Sequence, residues 1–214
     1  MLKHAATFPR RDRIFDVAKR AMDLAGATVG LVGSAPVMLA AALAVRATMG
    51  SPVLFAQDRP GKDGAPFRLR KFRTMRHACE GIVEEDEERL TALGRLLRAT
   101  SVDELPTFIN VLRGEMSLVG PRPLLMRYLS RYTKHQYRRH EVRPGITGLA
   151  QVRGRNRLSW EEKFDLDVEY VQRRSLVLDA RILIETLLKV VKRDGISQAG
   201  HATMPEFTGS AEGV

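Results

Sequence analysis

A run of 22 residues without a charged side chain extends from Leu24 to Val45. A membrane-spanning helix needs about 20 predominantly apolar residues, so this run is long enough to enter a bilayer. It begins more than twenty residues into the chain and is followed by no obvious processing site, which disfavours a secretory signal peptide. The sequence therefore predicts an N-terminal membrane region over residues 1–49.

Both ends of the apolar run are basic. The residues before it include Arg10, Arg11, Arg13, Lys19 and Arg20, and Arg46 follows it directly. Lys and Arg are retained on the cytoplasmic side of membranes, so a straight span would export one basic end. We therefore expect a re-entrant helix hairpin that enters one leaflet. A single span with a kink and a buried helix of a soluble protein are the alternatives.

The bend is predicted at Ser34 and Pro36, near the middle of the run. The proline ring removes one backbone donor and clashes with the carbonyl four residues earlier. The hydroxyl of Ser34 can satisfy freed backbone groups, and Gly33 lowers the steric cost of bending.

The remainder predicts an α+β fold: a small, mostly helical body with a β-hairpin. The hairpin comprises PVLFAQDR, the turn PGKDG and APFRLRKFRTM, and helices are expected around 90–98, 106–113, 131–141 and 160–173. The helix over Asp179–Arg193 has an apolar stripe typical either of a membrane interface or of a core-facing helix. We assign 50–200 to one catalytic domain and 201–214 to a C-terminal tail.

The chain carries 35 Lys and Arg against 25 Asp and Glu, a formal net charge of +10. Such an excess favours polyanionic partners, and a non-catalytic basic module that binds membranes or nucleic acid is an alternative to an enzyme. Aromatic residues make up only 6% of the chain and are not interleaved with basic ones, which disfavours nucleic acid as the partner.

Asp103 and Glu104 form the carboxylate pair of greatest chemical interest. Pro106 favours the first turn of a helix, so the pair is expected at the positive end of that helix, where ionised side chains are stabilised. An ionised carboxylate can attack phosphorus or bind Mg²⁺. The alternative is structural, because Ser101 and Glu104 also match the S-x-x-E capping box.

Groups suited to a diphosphate surround this pair in the sequence. They are Arg122 between two prolines, the glycine-rich loop from Arg143 to Gly148, and the basic residues Arg153, Arg155 and Arg157. Arginine offers a planar fork of donors, and glycine lets backbone amides approach oxygen closely. The acidic stretch Glu80–Glu88 is assigned no chemistry.

The ordered motifs KFRTM, SVDELPTFINVLRGEMSLVGPRPLL, VRPGITGLAQVRGRN, WEEKFDLDVEYV and GHATMPEF resemble those of the bacterial monotopic phosphoglycosyl transferases, also called bacterial sugar transferases. The resemblance covers nearly the whole chain. It is strongest to the minimal single-domain enzymes of bacterial protein N-glycosylation. One departure concerns the helix break, where the family has Ser directly before Pro and this chain has Ser34-Ala35-Pro36.

The resemblance implies roles for individual residues. Asp103 is expected to be the nucleophile, and Glu104 to hold Mg²⁺ with it or to assist the second step. Arg98 is expected to bind a phosphate, Lys71 to contribute charge, and Arg122 to position the nucleotide diphosphate. With the residues of the two loops, the expected substrate-binding set is Lys71, Arg98, Arg122, Pro123, Arg143, Gln151 and Arg155.

The resemblance also implies the reaction. A sugar 1-phosphate passes from a UDP-sugar to undecaprenyl phosphate through a covalent aspartyl intermediate, with release of UMP, at the cytoplasmic face of the inner membrane. This is the first membrane step of glycoconjugate assembly. The expected donor is a UDP-2-acetamido sugar such as UDP-N,N′-diacetylbacillosamine. A direct ternary transfer, with the two carboxylates acting only as Mg²⁺ ligands, is the alternative mechanism.

Overall fold

A computed structural model describes residues 10–76, 89–154, 158–192 and 206–209. The predicted mixture of helices and strands is confirmed within these ranges. The elements are α1 (Arg10–Met49), β1 (Leu54–Pro60), β2 (Pro66–Phe72), α2 (Ala92–Ala99), α3 (Thr107–Leu112), β3 (Ser117–Val119), α4 (Lys134–Tyr137), β4 (Gly145–Thr147), α5 (Leu149–Arg153), α6 (Trp160–Arg173) and α7 (Leu176–Lys192). The acidic stretch Glu80–Glu88 lies outside the described residues.

Helix α1 is long and strongly apolar. Within Ile14–Met49 an 18-residue window reaches a mean hydropathy of 2.0, and 11% of that window is buried, so the helix is able to cross a membrane by length and composition. The middle of the helix is the exposed part, with Val29 73% and Val32 69% exposed. The predicted membrane region is therefore one long apolar helix.

Both ends of α1 contact the same globular body. Near the N-terminal end, Lys19 Nζ lies 2.7 Å from Asp179 Oδ2, and Asp23 Oδ1 accepts a hydrogen bond of 3.0 Å from the amide of Leu118. Towards the C-terminal end, Ala41 and Val45 pack in one apolar cluster with other core residues of the body. The body thus holds the helix on either side of its exposed middle.

Ser34 and Pro36 lie inside this continuous helix. Pro36 has no amide hydrogen, so the carbonyl of Val32 lacks its helical donor. Ser34 Oγ donates to the carbonyl of Gly30 at 2.6 Å, one turn earlier, and does not contact the carbonyl of Val32, so the expectation that Ser34 satisfies the freed carbonyl is wrong. A hydroxyl bonded in this way favours a slight bend of the helix. The helix is continuous through the proline, from Arg10 to Met49.

The predicted β-hairpin is confirmed. Strands β1 and β2 pair antiparallel from Leu54 opposite Phe72 to Pro60 opposite Pro66. A short 3₁₀ turn over Lys62–Gly64 joins them, in which Asp63 has φ 57° and Gly64 has φ 75°. The alternation along β2 buries Phe67 and Leu69 in the core and leaves Arg68 exposed.

The loop that carries Arg122 and the glycine-rich loop from Arg143 to Gly148 lie beside a second pair of strands, β3 and β4. These strands are parallel, and the sequence did not predict them. Their contact requires glycine. A Cβ added to Gly145 would lie 2.1 Å from the amide nitrogen of Gly120, and one added to Gly148 would lie 2.3 Å from the carbonyl oxygen of Gly120. Any side chain at these positions would separate the two loops.

Helix α7 has one buried face and one exposed apolar face. Asp179 and Ile182 are buried, whereas Val177, Ile184 and Leu187 are largely exposed. The core-facing interpretation of this stretch is therefore correct for one face, and the other face remains available to a membrane. Residues of α7 join the central core, which consists of Ala27, Phe67, Leu69, Val111, Met116, Leu118, Val119, Val142, Leu149, Val152, Tyr170, Val171 and Ile182.

The tail contributes a buried aromatic ring. Phe207 is 2% exposed and packs with Tyr128 and Phe164, with ring centroids 4.9 Å from Phe164 and 5.6 Å from Tyr128. Glu206 forms ion pairs with Arg127 and Arg131. Residues 206–207 of the predicted tail therefore pack against the body. Residues 201–205 and 210–214 lie outside the described residues.

We predict that Phe207→Ala destabilises the body by about 3 kcal/mol, because it removes a fully buried ring and leaves a cavity. For a chain of this size the melting temperature should fall by roughly 10 °C. Thermal unfolding of the detergent-solubilised protein measures the change. The control is Leu96→Ala, a truncation at a side chain 59% exposed, which should leave the melting temperature nearly unchanged. Equal melting temperatures for wild type and Phe207→Ala would contradict the packing described.

Candidate active site

The two carboxylates lie on a 3₁₀ turn over Val102–Glu104 that joins α2 to α3. Ser101 precedes this turn with φ 57° and ψ 15°, and its side chain makes no capping hydrogen bond. The capping-box interpretation is therefore wrong. The side chain of Glu104 has other partners, Lys71 and Arg122.

Asn110 fastens this turn to the hairpin. Its side chain is fully buried and bonds strand β2 twice, donating to the carbonyl of Arg68 at 2.7 Å and accepting from the amide of Arg70 at 3.2 Å. Thr107 Oγ1 donates to the carbonyl of Glu104. Helix α3 therefore holds the carboxylate turn against the strand that carries Lys71.

Glu104 is bound by two cations. Lys71 Nζ lies 2.6 Å from Glu104 Oε1, and Arg122 Nη2 lies 2.5 Å from the same oxygen. Burial alone would raise the pKa of Glu104, but Arg122 and Lys71 outweigh it and hold the pKa well below the usual range. In turn, Glu104 raises the pKa of Arg122. Glu104 is thus held in its ionised form by its two partners.

Asp103 has the opposite environment. It is 8% exposed, and within the described part of the chain its carboxylate makes no hydrogen bond and no ion pair. Burial raises its pKa to about 6, and the neighbouring charge of Glu104 adds to the effect, while Lys71, Arg98 and Arg122 oppose it. A buried carboxylate surrounded by cations but bonded to none of them is free to react.

A buried arginine, Arg139, fixes the loop that carries Arg122. Arg139 is buried, donates from Nη2 to the backbone carbonyl of Arg122 at 2.7 Å, and pairs with Asp167 at 2.7 Å. Strand β3 ends just before this loop, at Val119. The position of the Arg122 guanidinium therefore depends on helix α6, which supplies Asp167.

Most of the predicted site residues lie together. Pro123 lines a pocket with Lys71, Glu104 and Arg122. Arg98, in the last turn of α2, donates from Nε to Thr74 Oγ1 at 3.1 Å, and its charge acts on Asp103. The structure thus brings together both carboxylates and the cations expected beside them.

Two of the predicted residues have other positions, and a third lies outside the described residues. Arg143 is exposed and donates from Nε to the carbonyl of Gly114 at 3.0 Å, and it does not line the pocket. Gln151 donates to the carbonyl of Ile146 at 3.1 Å and leaves its Oε1 buried without a partner. Arg155 lies outside the described residues, as does Arg157.

The sequence analysis missed Arg59, which lines the same pocket. It lies at the end of β1, in a motif that the sequence assigned only to a hairpin. The sequence did contain a signal for this role. Arg59 is a basic residue directly before the turn PGKDG, and its strand pairs with the strand that carries Lys71.

Within the described ranges no cluster of three or more His, Cys, Asp or Glu side chains is arranged to hold a metal ion. Mg²⁺ does not need one, because it is commonly bound by one or two carboxylates together with water and substrate phosphates. The unbonded Asp103 carboxylate fits this requirement. Glu104 offers only Oε2, which has a single 3.5 Å contact with Arg122.

Comparison with known proteins gives a consistent result. Residues 14–193 match the family model described as bacterial sugar transferase. The chain is 52% identical over 198 residues to the "Uncharacterized sugar transferase EpsL" of Bacillus subtilis, an alignment that covers 92% of this chain and 98% of that protein.

Two further relatives have names that state a reaction. The chain is 39% identical over 191 residues to the "UDP-glucose:undecaprenyl-phosphate glucose-1-phosphate transferase" of Caulobacter vibrioides, covering 84% of this chain and 72% of that protein. It is 39% identical over 188 residues to the protein of the same name from Escherichia coli, covering 80% of this chain. The chain spans only 39% of the length of the E. coli protein.

We predict that Asp103→Asn stabilises the protein at pH 8 but not at pH 4. At pH 4, close to the ordinary pKa of 3.8, the folded carboxyl is still protonated and its burial costs less than about 1 kcal/mol, so the replacement gains little there. The cost builds up between pH 3.8 and about 6, and above pH 6, where the folded protein must ionise the buried group, it reaches roughly 3 kcal/mol. Denaturant unfolding in EDTA measures the difference between variant and wild type.

The control is Asp165→Asn, at a side chain that is 71% exposed. Its stability relative to wild type should change by less than about 1 kcal/mol between pH 4 and pH 8, because its ion pair with His135 is exposed to solvent. A gap between Asp103→Asn and wild type that is the same at both pH values would show that burial does not raise the pKa of Asp103.

Proposed function

The chain belongs to the bacterial sugar transferase family and is a phosphoglycosyl transferase, and we propose that it transfers a sugar 1-phosphate from a UDP-sugar to undecaprenyl phosphate. UMP is the other product of the first step. The observation that carries this proposal is the contrast between two adjacent carboxylates. Asp103 is buried and has no hydrogen bond or ion pair to the residues that the structure describes, whereas Glu104 is neutralised by Lys71 and Arg122.

In the first step, an ionised oxygen of Asp103 attacks the β-phosphorus of the donor. A bond forms between this oxygen and phosphorus, and the bond from phosphorus to the bridging oxygen breaks, so UMP leaves with the electron pair. The product is an aspartyl phosphosugar. In the second step, a phosphate oxygen of undecaprenyl phosphate attacks the same phosphorus and restores the Asp103 carboxylate, which yields the undecaprenyl diphosphate sugar.

The surrounding cations make this attack feasible. A carboxylate must approach a diphosphate and later a second phosphate, and like charges repel unless positive groups offset them. Lys71 and Arg122 reach the site while Glu104 holds them in fixed positions. Arg98 acts on Asp103 from helix α2, and its remaining guanidinium donors are available to a phosphate. We assign Glu104 to positioning these cations.

Mg²⁺ is proposed as the metal. The residues that would hold it are Asp103 and Glu104. When bound, the ion would neutralise diphosphate charge and polarise the phosphoryl group.

We also propose that α1 is re-entrant and enters one leaflet from the cytoplasmic face of the inner membrane. The support is the contact of both helix ends with one body: Lys19 pairs with Asp179, and Val45 packs with Phe72. A helix that crossed the bilayer would separate these contacts by the full hydrocarbon thickness, about 30 Å. Pro36 and Ser34 are the proposed site of the bend, and the exposed apolar face of α7 is proposed to lie at the membrane surface.

We propose a class of donor sugar and not one particular sugar. The relatives from Caulobacter vibrioides and Escherichia coli are named for UDP-glucose, and a relative from Erwinia amylovora is named "UDP-galactose-lipid carrier transferase". A UDP-hexose donor is therefore our proposal, and a 2-acetamido sugar stays a prediction from sequence. Release of UMP from a panel of UDP-sugars, including UDP-glucose, UDP-galactose and UDP-N,N′-diacetylbacillosamine, identifies the preferred donor.

We predict that the purified protein releases UMP when supplied with Mg²⁺, a UDP-sugar and undecaprenyl phosphate. Asp103→Asn should reduce this rate at least about a thousandfold, because an amide cannot supply the attacking oxygen. Rapid quench followed by intact-protein mass spectrometry should find a phosphosugar on the wild type when the acceptor is omitted. Asp165→Asn serves as the control and should retain full activity.

Two results would change the mechanism. Undiminished UMP release by Asp103→Asn would remove this residue from the nucleophile role. Turnover without any adduct, and without UMP release in the absence of acceptor, would favour the direct ternary transfer.

We predict that both ends of α1 lie on the cytoplasmic side. A cysteine at Lys3 or at Lys62, each in a Cys79→Ser background, should resist an impermeant thiol reagent added outside intact cells and react after lysis. The exposed hairpin turn at Lys62 reports the position of the body. Labelling of the Lys3→Cys protein from outside would contradict the re-entrant arrangement.

A comparison of two leucine variants tests the role of Pro36 in the topology of α1. Pro36→Leu restores a backbone donor and should favour a straight span, so that the cysteine at Lys3 becomes reactive from outside. Ala35→Leu adds the same side chain one residue earlier while keeping the proline, and it should leave the labelling pattern unchanged. An N-terminus that stays cytoplasmic in Pro36→Leu would show that the proline does not control topology.

A further inference from the structure

Arg59 is a basic residue of the pocket wall that has no acidic partner among the described residues. It lies at the next-to-last position of β1, opposite Phe67 of β2. The pocket that it lines also contains Lys71, Glu104 and Arg122. Among the described residues Arg59 forms no ion pair, in contrast to Lys71 and Arg122, which share Glu104.

The hydrogen bonds of Arg59 are incomplete. Its Nη2 donates to Gln57 Oε1 at 2.6 Å, whereas its Nε is buried and has no partner within the described part of the chain. A guanidinium has five N–H donors, and buried donors are normally satisfied. Several donors of Arg59 are therefore available to a ligand in the pocket.

The charges of the pocket are unbalanced. Arg59, Lys71 and Arg122 contribute three positive charges, and Glu104 is the carboxylate in the described lining. Burial, and after it the charge of Arg122, lower the pKa of Arg59 to about 10. A half-buried cation without a counter-ion is costly, and an anion bound in the pocket would offset that cost.

We propose that Arg59 is a phosphate-binding residue of this pocket, a role that rests on the proposed function. Its planar fork of donors matches phosphate oxygens, and Gln57 orients it. The phosphate can come from the nucleotide diphosphate of the donor or from the lipid acceptor, since both present the same oxygens. Lys71 and Arg122 share Glu104, the carboxylate of the described lining, so Arg59 adds a positive charge that this carboxylate does not neutralise.

Equilibrium binding tests the proposal without requiring turnover. UDP and, separately, undecaprenyl phosphate in detergent micelles are titrated into wild type, Arg59→Gln and Arg59→Lys by calorimetry. Arg59→Gln should weaken binding of one ligand at least about tenfold, the loss of a charged hydrogen bond. Arg59→Lys keeps the charge but loses the fork, and it should weaken the same ligand by a smaller factor.

The matched control is Arg68→Gln. Arg68 is an exposed arginine on the adjacent strand of the same hairpin, opposite Asp58, and it does not line the pocket. Its variant should bind both ligands within about twofold of wild type, an energy difference below 0.5 kcal/mol. Melting temperatures of all variants report whether each is folded. If Arg59→Gln fails to fold, the affinity of Arg59→Lys decides the question.

The outcomes separate this inference from the proposed function. Weaker UDP binding assigns Arg59 to the donor diphosphate, and weaker undecaprenyl phosphate binding assigns it to the acceptor phosphate. Wild-type affinity of folded Arg59 variants for both ligands would overturn the inference, even where wild type releases UMP. Failure of the wild type to release UMP would instead count against the proposed function, because the binding arms do not depend on turnover.

Discussion

The ion pairs of Glu104 hold the site together. Lys71 comes from the hairpin, Arg122 from the loop after β3, and Glu104 from the turn between α2 and α3, so one carboxylate joins three segments that are distant in the sequence. Such partners stabilise the ionised form of this partly buried carboxylate. Asp103, one residue earlier, is left without them. Adjacent residues thus acquire opposite properties from the way the chain folds around them.

Regular elements of the fold could be predicted because their signals are local. The hairpin follows from alternating side chains around a Pro-Gly turn, and α6 begins at a capping box formed by Ser159 and Glu162. The parallel pair of β3 and β4 could not be predicted. Each strand has three residues, too few for a period, and the pairing depends on glycines that let distant loops touch.

The candidate site could be predicted in part for a similar reason. Asp103 and Glu104 are adjacent, so their association needed no tertiary information, and resemblance to a known family supplied Lys71, Arg98 and Arg122. The sequence could not distinguish a capping role for Glu104 from a functional one, because the difference lies in the left-handed backbone of Ser101. Arg59 was missed because only the folded hairpin shows that it points into the pocket.

Helix α1 is the long apolar segment of the protein, and it also contributes side chains to the core of the globular body. Ala27 belongs to the central core, while Ala41 and Val45 belong to a second cluster with Phe72 and Leu97. Trimming the helix to obtain a water-soluble fragment would therefore open both clusters and remove the counter-ion of Asp179. Biochemical work on this protein consequently depends on detergents or lipid nanodiscs, and solubility has to be sought by replacing exposed side chains in the middle of the helix.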